Sequence, residues 1–169
     1  MESLVEMAAP VGELLKKRGE TIAVAESAAG GLISAALLAL PGASAYFRAG
    51  GVIYTAQARE ALLGVEAADM EGLRSSTVPY ARLMAGRIRE RLATDWALAE
   101  TGAAGPTGNR YGDAPGHACI AVVGARERVL TLETGREDRE ENMWAFTRAA
   151  LDLLAQVLRA EEMPPQNEG

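Results

Sequence analysis

Glu26 and Ser27 form a polar pair within TIAVAESAAGGLISAAL, where a strand-like run gives way to a helix-like one. A serine placed after a strand and before a glycine-containing helix start can act as a nucleophile. The free N–H groups and positive dipole of a helix N-terminus favour an oxyanion or a phosphate beside it. The same serine can serve simply as an N-cap, a common use of Ser there. The local residues leave both readings open. The Ala-Ala-Gly-Gly that follows lacks the Gly-Lys-Ser/Thr of a Walker loop and is a weaker phosphate signal than one.

A second candidate is the Gly/Pro-rich stretch TGAAGPTGNRYGDAPG, residues 101–116. Loops of this length without structure of their own are usually functional or mobile. Its glycines could bring backbone N–H groups close to a ligand, and composition alone equally allows a mobile surface excursion. His117, at the start of an apolar strand, reads as a core or edge histidine rather than a general base. Cys119, two residues on, shares its face and reads as a buried small hydrophobe. One cysteine excludes an intramolecular disulfide, and one histidine excludes a multi-His metal site. REDREE, residues 136–141, reads as a solvated first helical turn whose acids suit the dipole. Met143, Trp144 and Phe146 read as core.

These residues must be held by elements that the rest of the pattern predicts. Leu4, Met7, Ala8, Val11, Leu14 and Leu15 recur at helical spacing, and KKRG supplies basic residues and a glycine stop. Pro10 interrupts that pattern and moves the expected helix start toward itself. TIAVA is expected as a buried strand, and 30–40 as a helix ended by Pro41-Gly42. YFRAGGVIYT predicts a second strand, with Gly50-Gly51 allowing a bulge or close backbone approach. A short helix through Arg59 to Leu63 should stop at Gly64. Thr77 and Pro79 predict the cap and first turn of a helix running to about Leu92. WALAET predicts another strand, and HACIAVVG with RVLTLET a hairpin around Gly124-Ala125-Arg126. Met143, Phe146, Ala150, Leu153, Leu154 and Val157 mark one face of a long last helix.

Alternating strands and helices imply an α/β fold. The expectation is a single-domain layered α/β/α sandwich with a mixed, partly parallel sheet. It should occupy residues 1–160, with 161–169 a disordered polar tail. With only 5% aromatic residues, the core must come from Ala, Leu, Val and Ile. A formal net charge of −6 argues against nucleic-acid or anionic-membrane partners, while leaving room for a local phosphate pocket. No basic leader and no run long enough to span a membrane is present, so a cytoplasmic location is expected. Sites in such sheets gather beyond the carboxyl ends of strands, where Glu26-Ser27, Tyr54-Thr55 and Glu100-Thr101 fall.

AESAAGG, PGASAYFRAGGVIYTAQAREALLGV, TGAAGPTG and APGHACIAV follow one another along the chain. Together they resemble the CinA C-terminal-domain family (competence/damage-inducible protein), whose active members are nicotinamide-nucleotide amidases. The corresponding family patterns are A-E-S-C-T-G-G, G-S-S-x-x-F-x-x-G-x-V-x-Y-x-N-x-x-K-x-x-x-L-G-V, T-G-I-A-G-P-x-G and K-P-V-G-x-V-x-x-A. The similarity runs from about Leu4 to Leu158. It implies hydrolysis of the carboxamide of nicotinamide mononucleotide to nicotinic acid mononucleotide and ammonia, with no metal or other cofactor. It also implies a nucleotide-like small-molecule ligand and, by analogy, a homodimer.

By the same resemblance, Ser27 stands in the nucleophile's place, beside Glu26, and Tyr54 retains the family's tyrosine. Gly30, Gly31, Thr101, Gly102, Gly105 and Arg139 fall at ligand-binding positions. Arg59 stands where the family has the lysine that serves as base. A guanidinium is a donor only and cannot readily take the serine's proton, whereas a suitably placed lysine can. Ala28, Ala29 and Ala56 replace polar family residues, and Met143 and Trp144 stand where arginines are frequent. Two functions follow. One is an amidase in which Tyr54, Glu26 or Glu100 supplies the acid/base chemistry, with N–H groups near Gly30 and Gly102 stabilising the oxyanion. The other is a catalytically silent relative that binds a nucleotide-like or anionic ligand, or acts as an assembly partner.

Overall fold

Residues Ile22–Glu26 (β1) are buried along their whole length, as a central strand covered by helices on both faces of its sheet is. The computed structural model describes residues 2–162. It places β1 second in a five-stranded sheet with Phe47–Val52 (β2), Trp96–Ala103 (β3), His117–Val123 (β4) and Arg128–Glu133 (β5), in the order β2-β1-β3-β4-β5. β1 pairs in parallel with β2 and β3, and the β3-β4 and β4-β5 pairs are antiparallel. The sheet is therefore mixed, its parallel half carrying the three strand ends that matter for chemistry.

Strand alternation divides the core in two. Trp96 and Leu98 face helices Leu4–Arg18 (α1), Leu32–Leu38 (α2) and Arg139–Glu162 (α5), packing with Leu15, Ile33, Phe146 and Leu154. Ala97 and Ala99 face Ala56–Leu63 (α3) and Val78–Leu92 (α4). Alanines at those positions, with Ala23, Ala25 and Ala121, leave room for the larger Tyr80, Met84 and Ile88 of α4. The result is a single-domain α/β/α sandwich. No helix among the described residues is long and apolar enough to cross a membrane.

Most element ends follow their local signals. Thr77 Oγ1 accepts from Tyr80 N to cap α4, Gly64 closes α3 in the left-handed region, and the β4-β5 hairpin forms. Four expectations need correction, and the alternatives offered for Gly50-Gly51 are resolved. α1 starts at Leu4, well before Pro10, because Ser3 and Glu6 form a capping box: Glu6 N donates to Ser3 Oγ (3.2 Å) and Ser3 N to Glu6 Oε2 (2.7 Å). Burial of Met7, Val11 and Leu15 then carries the helix through Pro10, whose interior cost is about 3 kcal/mol. α2 is shorter than residues 30–40, since Gly30 and Gly31 take φ of 68° and 102° and belong to the preceding turn. The irregularity in β2 lies at Arg48, skipped between the pairs Ile22–Phe47 and Ala23–Ala49. Gly50 instead permits a close approach, because a Cβ there would run into Ser34 Oγ. β3 also runs past WALAET into Gly102-Ala103. α5 continues through Glu162, two residues into the segment expected as tail, and the remainder of that segment lies outside the described residues.

Candidate functional site

Because β2, β1 and β3 run in parallel, the segments leaving them emerge at one edge of the sheet. Ser27 follows β1, Tyr54 and Thr55 lead from β2 into α3, and Thr101-Gly102 belong to the last part of β3. With Arg59 of α3 and Ser75-Ser76 ahead of α4, they line a cleft of about 270 Å³. A second hollow of about 220 Å³ shares Tyr54 and Gly102 and is lined further by Gly105, Thr107, Asn109 and Arg139. The shared residues join the two into one cleft. It brings together Ser27, Tyr54, Arg59, Thr101, Gly102, Gly105 and Arg139 from segments far apart in the chain. A larger groove of about 720 Å³ lies between α5 and β5, and none of these residues lines it.

Among the described residues, two guanidiniums are the charged groups of the cleft lining, which includes no carboxylate, amine or imidazole. Arg59 Nη1 donates to Ser75 Oγ over a long 3.4 Å, and the guanidinium lies 5.7 Å from the Tyr80 ring centroid. Arg139 Nη1 donates to the Gly105 carbonyl (2.6 Å) and Nη2 to the Tyr54 hydroxyl (3.1 Å). REDREE is thus not wholly a solvated turn: Asp138 Oδ1 accepts from Glu141 N (2.9 Å), while Arg139 reaches the cleft.

Strand alternation turns Glu26 and Glu100 the other way, to the α2/α5 side shared by Val24 and Leu98. Neither lines the cleft. Glu26 Oε1 accepts from Gly31 N (2.8 Å) and Ile33 N (3.1 Å). Its Oε2 accepts from Ser34 N (2.9 Å) and Ser34 Oγ (2.7 Å). Glu26 therefore satisfies the free N–H groups at the start of α2. Ser27 is not the cap; the N-cap residue is Gly31, which has no side chain to offer. Glu100 Oε2 accepts from Ser27 N (3.1 Å) and Ala29 N (2.9 Å), while its buried Oε1 has no partner among the described residues.

Gly30 N donates to the Ser27 carbonyl (3.0 Å). The N–H groups of Ser27, Ala29, Gly30 and Gly31 therefore serve the turn itself, and Gly30 and Gly31 do not line the cleft. Thr101 Oγ1 accepts from Ser76 N (3.1 Å), fixing the far wall, where Ser76 has φ 63°. His117 backs that wall: its Nε2 lies 2.8 Å from the Ser76 carbonyl and its Nδ1 2.5 Å from Glu133 Oε1.

A family model described as the CinA C-terminal domain matches residues 4–158. The chain belongs to this family. It is 41% identical over 150 residues to a CinA-like protein of Gloeobacter violaceus, covering 88% of this chain and 35% of that protein. It is 36% identical over 150 residues to a putative competence-damage inducible protein of Halothermothrix orenii, covering 88% and 36%. The chain thus spans little more than a third of the length of these curated relatives. Among solved structures, the competence/damage inducible protein CihA of Agrobacterium tumefaciens is similar with a TM-score of 0.84 and 28% identity, covering 94% of this chain and 99% of that one. A CinA superfamily protein of Klebsiella pneumoniae gives a TM-score of 0.87 at 25% identity, covering 94% and 99%.

The Gly-rich loop of this CinA-type domain is tied down rather than loose, by residues that sequence reasoning missed. Arg74 grips Asp113 with two hydrogen bonds (2.7 and 3.2 Å), and Asn109 Nδ2 adds a third (2.8 Å). Asn109 Oδ1 accepts from Tyr111 N and Asp113 N, an Asx-type turn for which the Asn/Gly/Asp content was the one legible signal. Asn142 Nδ2 donates to the Ala104 carbonyl (2.7 Å). The Arg74 hydrogen bonds hold the Asp113 carboxyl down at about 2, Asn109 and the charges of His117 and Arg74 outweighing its burial. His117 is raised: burial alone would lower it, but Glu133, the Ser76 carbonyl and Asp113 favour the charged ring.

Glu100 moves the other way. Burial, with the Glu26 charge adding to it, pushes it from 4.5 up to about 7, against the pull of the Ala29 and Ser27 N–H groups. Between those values the folded chain keeps a proton that the unfolded chain has released, so stability falls as pH rises from 4.5 to about 7. The fall is worth about 3 kcal/mol. Asp113 acts oppositely, its contribution being lost as pH drops from 3.8 toward about 2. Glu100→Gln keeps an acceptor for the Ser27 and Ala29 N–H groups but removes the titration. Urea unfolding across that window should show a much flatter pH dependence for this variant; an unchanged slope would place the titrating group elsewhere.

Proposed function

We propose that this chain binds a pyridine mononucleotide in the cleft and is a near-silent relative of the nicotinamide-nucleotide amidases, arrested at proton transfer. One observation carries the reading: among the described residues, the Ser27 half of the cleft holds hydroxyls and a guanidinium, and no carboxylate, amine or imidazole. Amide hydrolysis would require Ser27 Oγ to attack the carboxamide carbon, surrender its proton to a base, and see ammonia leave with one. Arg59 is a donor only. The Tyr54 hydroxyl accepts from Arg139 Nη2, which ties it to the other half of the cleft, and Glu100 lies beneath the Ser27 turn rather than in the cleft. The N–H groups of that turn are likewise committed to Glu26, Glu100 and the Ser27 carbonyl.

Binding is a lesser demand, and two guanidiniums suited to phosphate or carboxylate support it. The test pairs two measurements on the purified chain. Titration with pyridine mononucleotides should give saturable binding and a raised Tm. Ammonia release from nicotinamide mononucleotide should stay at background, beside an active family member as control. Turnover comparable to that control would overturn the arrested-enzyme reading, and absence of any stabilisation would overturn the binding one.

A further inference from the structure

Arg59 and Arg139 mark the two halves of the cleft, and no carboxylate of a described residue pairs with either. Acidic residues outnumber basic ones in this chain, 23 to 17, so such a lining is not what composition supplies by default. Elsewhere Arg18, Arg74 and Arg87 pair with Glu20, Asp113 and Asp69.

The two guanidiniums are held differently. Arg59 spends one weak hydrogen bond on Ser75 and rests against Tyr80, so most of its planar fork remains unused beside Ser27. That fork matches the two oxygens of a carboxylate. It matches a carboxamide poorly, because the amide NH₂ would meet guanidinium N–H groups donor to donor. Arg139 is fixed by the Gly105 carbonyl and the Tyr54 hydroxyl, at the end where Gly105 and Gly108 line the cleft. A guanidinium held in place in this way suits a phosphate, whose oxygens accept from its remaining N–H groups.

We propose that the cleft selects a ligand anionic at both ends: a pyridine nucleotide whose ring carries a carboxylate, held by Arg59, and whose phosphate is held by Arg139, in preference to the carboxamide form. This rests on the reading that a pyridine mononucleotide occupies the cleft. It places the ring substituent beside Ser27, so the chain retains the product type of amide hydrolysis rather than its substrate type.

Isothermal titration of the full chain near neutral pH, with nicotinic acid and nicotinamide mononucleotides in one buffer, tests it. The acid is expected to bind at least about tenfold more tightly, as a charge-assisted bidentate contact allows. Arg59→Gln should erase that preference, weakening the acid about tenfold and leaving the amide within about twofold. Arg139→Gln should weaken both ligands by a similar factor. Circular dichroism and thermal unfolding establish that both variants are folded. Equal or tighter binding of the amide by the parent chain would overturn the inference while leaving mononucleotide binding intact. Failure of both ligands to bind would overturn the two readings together.

Discussion

Arg59→Lys should raise ammonia release from nicotinamide mononucleotide by about a hundredfold to ten-thousandfold over the parent chain, the range a positioned general base contributes. The reason is chemical rather than steric. Arg59 already sits in the Ser27 half of the cleft, against Tyr80 and near Ser75, so a shorter lysine stem there starts from the same wall. An ammonium can lose its proton when burial or a neighbouring cation lowers its pKa, whereas a guanidinium holds its own. The gain should appear in kcat more than in KM, since a base acts on the transition state rather than on the bound ground state. Ser27→Ala in the Arg59→Lys background must abolish it, which separates serine chemistry from contamination. A folded Arg59→Lys variant that binds ligand without any gain would move the block from the missing base to Ala28, Ala29 and Ala56, where the family carries polar residues. The arrested-at-proton-transfer reading would then fail.

Much of this arrangement was legible in the residues, and the parts that were not share one cause. Thr77, Gly64 and the hairpin carry their instructions within a few positions, so their elements form where local chemistry puts them. The meeting of Ser27, Tyr54 and Thr101 also follows from three strands ending on one edge. What local pattern could not show is which way a polar residue turns and whom it meets. Glu26 and Ser27 are adjacent, and strand alternation sends one under α2 and the other toward the cleft. The capping role that a serine commonly plays falls here to the glutamate. The Arg74–Asp113 grip joins positions 39 apart and leaves no periodic trace. Pro10 misled for a related reason: its cost is local, while the burial that offsets it is tertiary.

Glu26→Gln should lower the unfolding free energy by about 2–4 kcal/mol, although the two side chains have nearly the same size. Glu26 is 1% exposed, and both of its oxygens act solely as acceptors toward Gly31 N, Ile33 N, Ser34 N and Ser34 Oγ. A glutamine offers one acceptor oxygen and one NH₂. Whichever way the amide is turned, its N–H groups face donors already aimed at that place, and at least one backbone N–H loses its partner away from water. The negative charge opposite the positive end of α2 disappears as well, a smaller loss of about 0.3–1 kcal/mol. Ser34→Ala removes only the hydroxyl bond and should cost about 1 kcal/mol, which makes it the matched control. Urea unfolding at constant m-value measures both. Against the 5–15 kcal/mol typical of a domain, the larger loss would be a substantial fraction, and it would fall on the turn that carries Ser27. Near-parental stability of Glu26→Gln would mean that the carboxylate does not hold that turn.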